Sequence, residues 1–199
     1  MSKFFPYMPD GKVLREFFLD RSPVSIIQGP IGSGTSTACM HKLWAIALQQ
    51  KPGPDGIRRT RMFIIRNTYA DLRDTTMKTW SYWFEEMVGG SLGEVMLTKP
   101  PRHTIKTGHP DGETRVDCEV IFLALDVEED VRRLMSQEPT VYFFNEMQFT
   151  EKKIFDEAQS RVALGRYPPV LEGGPTYHGV IGDLNAPTEG HFIPYLRGD

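Results

Sequence analysis

The chain has 199 residues, 40% of them hydrophobic, and a formal net charge of −3. That is enough apolar material for one full-sized core, and the acidic balance excludes a protein coated in positive charge. No apolar run approaches the roughly 20 residues that cross a bilayer, and Lys3, the aromatics after it and Pro6 form no signal peptide; a single soluble, cytoplasmic domain over 1–199, without a membrane partner, is expected.

In chain order, Val24 to Gln28 is a short β-prone run that stops at Gly29, and beyond the glycines a helical spacing carries through Ala38, Leu43, Ala45, Ile46 and Leu48. Residues 51–60 are turn-rich and polar. Arg58, Arg59 and Arg61, like Arg102, His103, Lys106 and His109 further on, read either as solvated loop charges or as contacts to DNA or a subunit. Met62 to Ile65 reads as a buried strand, and a helix from about Tyr69 to Met87 places Leu72, Trp80, Trp83, Phe84 and Met87 on one apolar face. After Gly89 and Gly90, turn residues around Gly108 to Gly112 separate two extended pieces, a hairpin at the sheet edge, and Val120 to Leu125 resumes as a buried strand. A helix near Val127 to Ser136, a strand at Val141 to Phe144, a helix at about Glu151 to Leu164 and a strand at His178 to Ile181 follow. Strands alternating with helices predict an α/β fold, a mainly parallel sheet with helices on both faces. Cys39 and Cys118 are too few and too poorly spaced for a zinc site or a disulfide framework and read as reduced core thiols.

Gly29-Pro30-Ile31-Gly32-Ser33-Gly34-Thr35-Ser36-Thr37 has two glycines at phosphate-loop spacing, between a predicted strand and a predicted helix. Glycines let the backbone wrap phosphate oxygens with its N–H groups inward, and the helix N-terminus adds partial positive charge toward the same anion. Ser36 then stands where a hydroxyl coordinates Mg²⁺. Thr35 takes the lysine position, so the cation that normally reaches the β- and γ-phosphates is missing; Lys42 lies too far along the helix to replace it. Weak hydrolysis is expected.

Val141-Tyr-Phe-Phe144 ends in Asn145-Glu146, which delivers an acid to the carboxyl edge of a parallel sheet. Glu146 reads as the general base for water, and Asn145, in the usual aspartate's place, as a neutral Mg²⁺ ligand. Arg66, Arg73, Arg161 and Arg166 are possible transition-state charges. Arg161 and Arg166 are favoured, with surface ion pairs as the competing reading, and Arg66 reads as structural or coupling.

Gln28-Gly-Pro-Ile-Gly-Ser-Gly34, Arg66-Asn-Thr-Tyr-Ala-Asp-Leu-Arg73, Phe144-Asn-Glu146, Ser160-Arg-Val-Ala-Leu-Gly-Arg-Tyr-Pro168 and Gly182-Asp-Leu-Asn-Ala-Pro187 resemble, in order, the motifs of tailed-phage terminase large subunits. The resemblance extends from about residue 20 to 195 and departs from the pattern at Thr35. It implies the additional-strand P-loop NTPase fold, ATP and Mg²⁺ as ligands, and Asn185 as the sensor of a coupling segment. Double-stranded DNA, a portal protein and a small terminase subunit are the partners it implies, in the host cytoplasm, with a homo-oligomeric ring on assembly and a monomer in isolation. No nuclease half is expected, since the chain ends at Asp199. A catalytically dead nucleotide-binding or assembly module is the competing function; a helicase- or recombinase-like ATPase does not account for the 182–187 segment.

Overall fold

A computed structural model describes residues 7–87, 92–125, 128–185 and 191–193. Helix α1 (Gly11–Leu19) leads to β1 (Val24–Gln28), α2 (Thr35–Gln49) and β2 (Ile57–Arg66). A continuous helical segment, α3, runs through Tyr69–Asp71, Leu72–Met77, Lys78–Ser81 and Tyr82–Met87, the second and fourth stretches being π-helical. Strands β3 (Arg102–Gly108) and β4 (Arg115–Ala124) precede α4 (Glu128–Met135), β5 (Val141–Phe144), α5 (Lys152–Ala163) and β6 (Gly179–Leu184).

The six strands lie in the order β1-β6-β5-β2-β4-β3, parallel throughout except for β3 against β4. Alternate residues of the central strands enter opposite cores, as the two-residue period of a strand requires. Met62, Ile64, Val120, Phe122, Val141 and Phe143 pack with α1, α2 and α3. Phe63, Ile65, Ile121, Leu123, Tyr142 and Phe144 pack with α4 and α5. Burial on both faces explains why these strands read as unbroken apolar runs.

Four elements differ from the sequence expectation. The edge hairpin and the buried strand at 120–125 are not separate: β4 is one strand whose first half alternates buried with partly buried positions and whose second half is buried on both faces. Strands β2 and β6 are longer than their apolar cores, because Arg58, Arg59 and Arg61 continue the β2 ladder against β4 and Gly182 to Leu184 continue β6. Helix α1 lies ahead of the first expected strand and buries only Phe17; what fastens it is Lys42, whose ammonium donates to the Phe17 carbonyl at 2.7 Å and sits 4.2 Å from the Phe17 ring. Every residue of α2 from Ala38 to Ala47 is buried. The Met87 side chain and Gly89, Gly90 and Val127 lie outside the described residues.

The basic clusters are matched by acids. Arg58 pairs with Asp111 at 3.0 Å, Arg59 with Asp55 at 2.5 Å, Arg61 and Arg102 with Glu119 at 2.7 Å each, and Lys106 with Asp117 at 3.5 Å. His109 faces Asp111, and His103 is a core residue whose Nδ1 accepts from the Trp80 indole N–H at 2.9 Å. Cys39 and Cys118 are buried free thiols.

Consecutive strands β1 and β2 are separated in the sheet by β6 and β5. The loop after β1 and the carboxyl ends of β5 and β6 are therefore neighbours, at the kind of crevice where ligands bind open parallel sheets.

Candidate functional site

The loop between β1 and α2 is shaped by glycine. A Cβ at Gly29 would stand 2.5 Å from Ser33 Oγ and 2.9 Å from Thr35 Cγ2. Gly32 and Gly34 hold φ of +80° and +79°, the left-handed region that disfavours any side chain, and a Cβ at either would meet no atom within 4 Å. The loop is thus forced by conformation at Gly32 and Gly34, and both positions stay open toward a cavity of about 340 Å³. Thr35, Ser36 and Thr37, the first turn of α2, line that cavity with Pro30, Ile31, Gly32 and Gly34, while Gly29 and Ser33 do not line it. First-turn N–H groups have no intrahelical acceptor, and this turn contains no acidic residue, so they present positive potential to the cavity. The Ser33 hydroxyl is buried without a hydrogen-bond partner among the described residues.

Opposite the loop, Asp183 is the organising group. The β6–β5 register sets Gly182 beside Phe144, so that Asp183 and Asn145 emerge side by side. Asp183 accepts from the Ser36 hydroxyl, from Asn145 Nδ2 at 3.0 Å and from the Glu146 backbone N–H at 2.7 Å. Burial pushes its carboxyl upward, against those three hydrogen bonds that hold it down. Asn145 Oδ1 accepts from Arg66 at 2.9 Å and from Thr76 at 2.6 Å. Arg66 also pairs with Glu146 at 2.8 Å.

Glu146 has φ +55° and ψ +57°, the one described non-glycine residue in the left-handed region. That conformation costs about 1–2 kcal/mol for an ordinary L-residue. It turns the Glu146 N–H back to Asp183 and leaves the carboxylate, about one-third exposed, on the cavity wall beside Arg66. Thr76 reaches Asn145 from the first π-helical stretch of α3, and Thr79, one turn on, borders the cavity. π-Turns commonly appear at functional sites.

Asn185 lines the cavity and its N–H donates to Gln148 Oε1 at 3.3 Å; Ala186 and Pro187, the rest of the predicted coupling segment, lie outside the described residues. Arg161 and Arg166 do not line it. Arg161 pairs with Glu157 at 3.1 Å and Arg166 with Glu138 at 3.4 Å, near the start of β5, where the Tyr167 carbonyl meets Thr140. Arg166 thus stands toward the amino end of β5, and Arg161 is held by its own helix. Lys42, seven residues beyond Thr35, is about two helical turns away and committed to Phe17. Arg66, structural or coupling on the sequence reading, is in the site. Thr76 is a site residue that sequence reasoning misses; Asp183 falls within the predicted coupling segment but receives no role of its own there, although β6 also carries an apolar run into an acid.

These groups fit a nucleotide polyphosphate with Mg²⁺. The open left-handed glycines and the first-turn N–H groups suit phosphate oxygens, and Ser36 and Asp183 place two side-chain oxygen donors on one wall. Among the described residues no group of three or more His, Cys, Asp or Glu side chains is placed to hold a metal unaided. The donor set suits an ion that completes its shell with phosphate and water, as Mg²⁺ does.

No protein-family model and no curated protein matches this sequence. Among solved structures the chain is similar to the large terminase of a thermophilic bacteriophage, with TM-score 0.67 and 13% identity over 96% of this chain and 43% of that one. It is similar to the large terminase ATPase domain of Thermus phage P74-26, with TM-score 0.59 and 13% identity over 96% of this chain and 70% of that one. A structure of the first of these terminases in complex with ADP matches with TM-score 0.55 and 13% identity, over 88% of this chain and 38% of that one. The chain spans less than half the length of that thermophilic phage's terminase. At these identities the likeness shows the fold, the α/β P-loop NTPase fold of large terminase ATPase domains.

Proposed function

We propose that this chain is the ATP-binding motor module of a phage large terminase, which couples ATP hydrolysis to movement of double-stranded DNA into a procapsid and in which Thr35 depresses hydrolysis. The observation that carries the proposal is the convergence of the open glycine loop, Ser36, Asp183, Glu146 and Asn185 on one cavity at the carboxyl ends of β1, β5 and β6. The terminase ATPase fold supports it.

Mg²⁺, when bound, supplies charge that offsets the phosphate oxygens. The backbone N–H groups of residues 32–37 hold the polyphosphate, and Ser36 offers its hydroxyl oxygen to the ion. Glu146 orients and deprotonates the attacking water. Arg66 holds the Glu146 carboxylate in place until substrate enters. Thr35 contributes a backbone N–H and a short hydroxyl, with no charge that strengthens as the transition state develops. Asn185 can hydrogen-bond water or phosphate through its amide and so responds to hydrolysis. A transition-state arginine from a neighbouring subunit would complete the charge; Arg161 and Arg166, which do not line their own cavity, suit that role better than a role within their own chain. The wider assembly is a ring on a portal protein with a small terminase subunit, in the host cytoplasm. Among the described residues no helix is long and apolar enough to cross a membrane.

A second reading, a nucleotide-binding assembly module without turnover, is favoured by Thr35 and the neutral Asn145. Calorimetry with ADP or a non-hydrolysable ATP analogue tests what both share: Ser36→Ala should weaken binding in Mg²⁺, and Gly34→Val should abolish it by placing a β-branched residue at φ +79°. Equal affinity in all three proteins would remove the site from this cavity.

A further inference from the structure

β5 ends in an amide where a phosphate-loop ATPase needs a carboxylate to help hold its metal. The orientation of that amide is set by its partners. Asn145 Oδ1 accepts from the Arg66 guanidinium and the Thr76 hydroxyl, so Nδ2 faces Ser36 at 3.2 Å and both oxygens of Asp183 at 3.0 Å. Reversing it would oppose N–H to guanidinium and carbonyl to carboxylate, losing the bonds to Arg66 and Asp183, since only the Thr76 and Ser36 hydroxyls can exchange donor and acceptor roles. The face of Asn145 turned toward Ser36 is therefore a hydrogen-bond donor and repels a cation.

The missing carboxylate stands one strand closer to the loop. β6 lies between β1 and β5, Ile27 and Asp183 are register partners, and the Ser36 hydroxyl donates to Asp183 while accepting from Asn145 Nδ2 at 3.2 Å, which leaves one Ser36 lone pair for a cation. Asp183 is only 2% exposed, yet among the described residues it forms no ion pair; its partners are a hydroxyl, an amide and a backbone N–H. The nearby guanidinium of Arg66 is engaged by Glu146 and Asn145. A buried carboxylate with only neutral donors is costly unless a cation compensates it.

We infer that Asp183 on β6, rather than Asn145 on β5, supplies the carboxylate of the divalent-metal site, with Ser36 as its hydroxyl ligand and Asn145 as a neutral strut that aims Asp183. The inference rests on the nucleotide-binding reading above. It assigns to this chain a displaced acid: the amide and the carboxylate have exchanged strands, and the carboxylate still reaches the first turn of α2.

The test is ADP binding by the full chain, by calorimetry, in Mg²⁺ and in EDTA. The unmodified chain should bind roughly tenfold or more tightly with Mg²⁺, the scale of one charge-assisted contact. Asp183→Asn should lose that gain while keeping its affinity in EDTA. A merely structural aspartate would weaken both conditions alike, and that result, or a retained Mg²⁺ gain, overturns the inference while leaving nucleotide binding intact. ADP binding in neither condition by the unmodified chain would overturn the functional reading itself, and this inference with it. Should Asp183→Asn fail to fold, electron–nuclear double resonance on Mn²⁺–ADP bound to the unmodified chain decides: ¹³C-labelled aspartate should couple to the ion, and its absence beside coupling from ¹³C-labelled asparagine would overturn the assignment.

Discussion

At the scale of single residues, Glu146 combines strain with charge. Its left-handed backbone points the N–H to Asp183, and its carboxylate meets an Arg66 that is 7% exposed. Glu146→Ala and Glu146→Gly both remove the carboxylate, but only alanine keeps a Cβ in the left-handed region. Denaturant unfolding should therefore find Glu146→Gly more stable than Glu146→Ala by about 1 kcal/mol. Equal stabilities would mean that φ at Glu146 relaxes in solution. Arg66→Gln should cost on the order of 2 kcal/mol, less than a fully buried ion pair because Glu146 is partly exposed, and a double-mutant cycle with Glu146→Gln should show coupling between the two.

At the scale of elements, α2, α3 and the segment ahead of α1 meet around an imidazole. His41 of α2 is 1% exposed, lies flat on the Tyr7 ring at 4.2 Å, and packs edge-on to Trp83 at 4.8 Å. Burial pushes its pKa from 6.5 down to about 4. Between those values the unfolded chain binds a proton that the folded chain does not, so stability falls as pH drops through 6.5 toward 4. Lowering pH from 7 to 5 should remove about 2 kcal/mol through His41. His103, lowered by its own burial, adds to the same trend, so the quantity to measure is the difference between the unmodified chain and His41→Phe. Unfolding free energies at pH 7 and 5 that decline equally in both proteins would count against a neutral buried His41. Much of this layer was legible beforehand, since the 3.6-residue spacing of α2 and the Leu72, Trp80 and Phe84 face of α3 depend only on near neighbours in sequence. The change of pattern along β4 misled because one strand passes from one-sided to two-sided burial. The π-turn that delivers Thr76 to Asn145 leaves no mark in side-chain spacing.

At the scale of the whole molecule, the glycine loop and the Asn145-Glu146 strand end were readable as local patterns, whereas the bond between Ser36 and Asp183 spans 147 positions. It exists because β6 inserts between β1 and β5, and no local pattern records that register. The ion pairs that neutralise Arg58, Arg61, Arg102 and Lys106 were hidden for the same reason. With those charges paired internally, the isolated chain should be a monomer in dilute solution. Light scattering checks this, and a stable ring would reverse it. The central claim is a motor nucleotide site whose weak point is Thr35, and steady-state ATP turnover of this chain beside Thr35→Lys tests it most directly. A lysine contact that strengthens in the transition state is worth about 3–5 kcal/mol, so the chain should turn over barely above background and Thr35→Lys on the order of a thousandfold faster, a gain that adding Glu146→Gln abolishes. A normal motor rate in the unmodified chain, left unchanged by Thr35→Lys, would contradict the account.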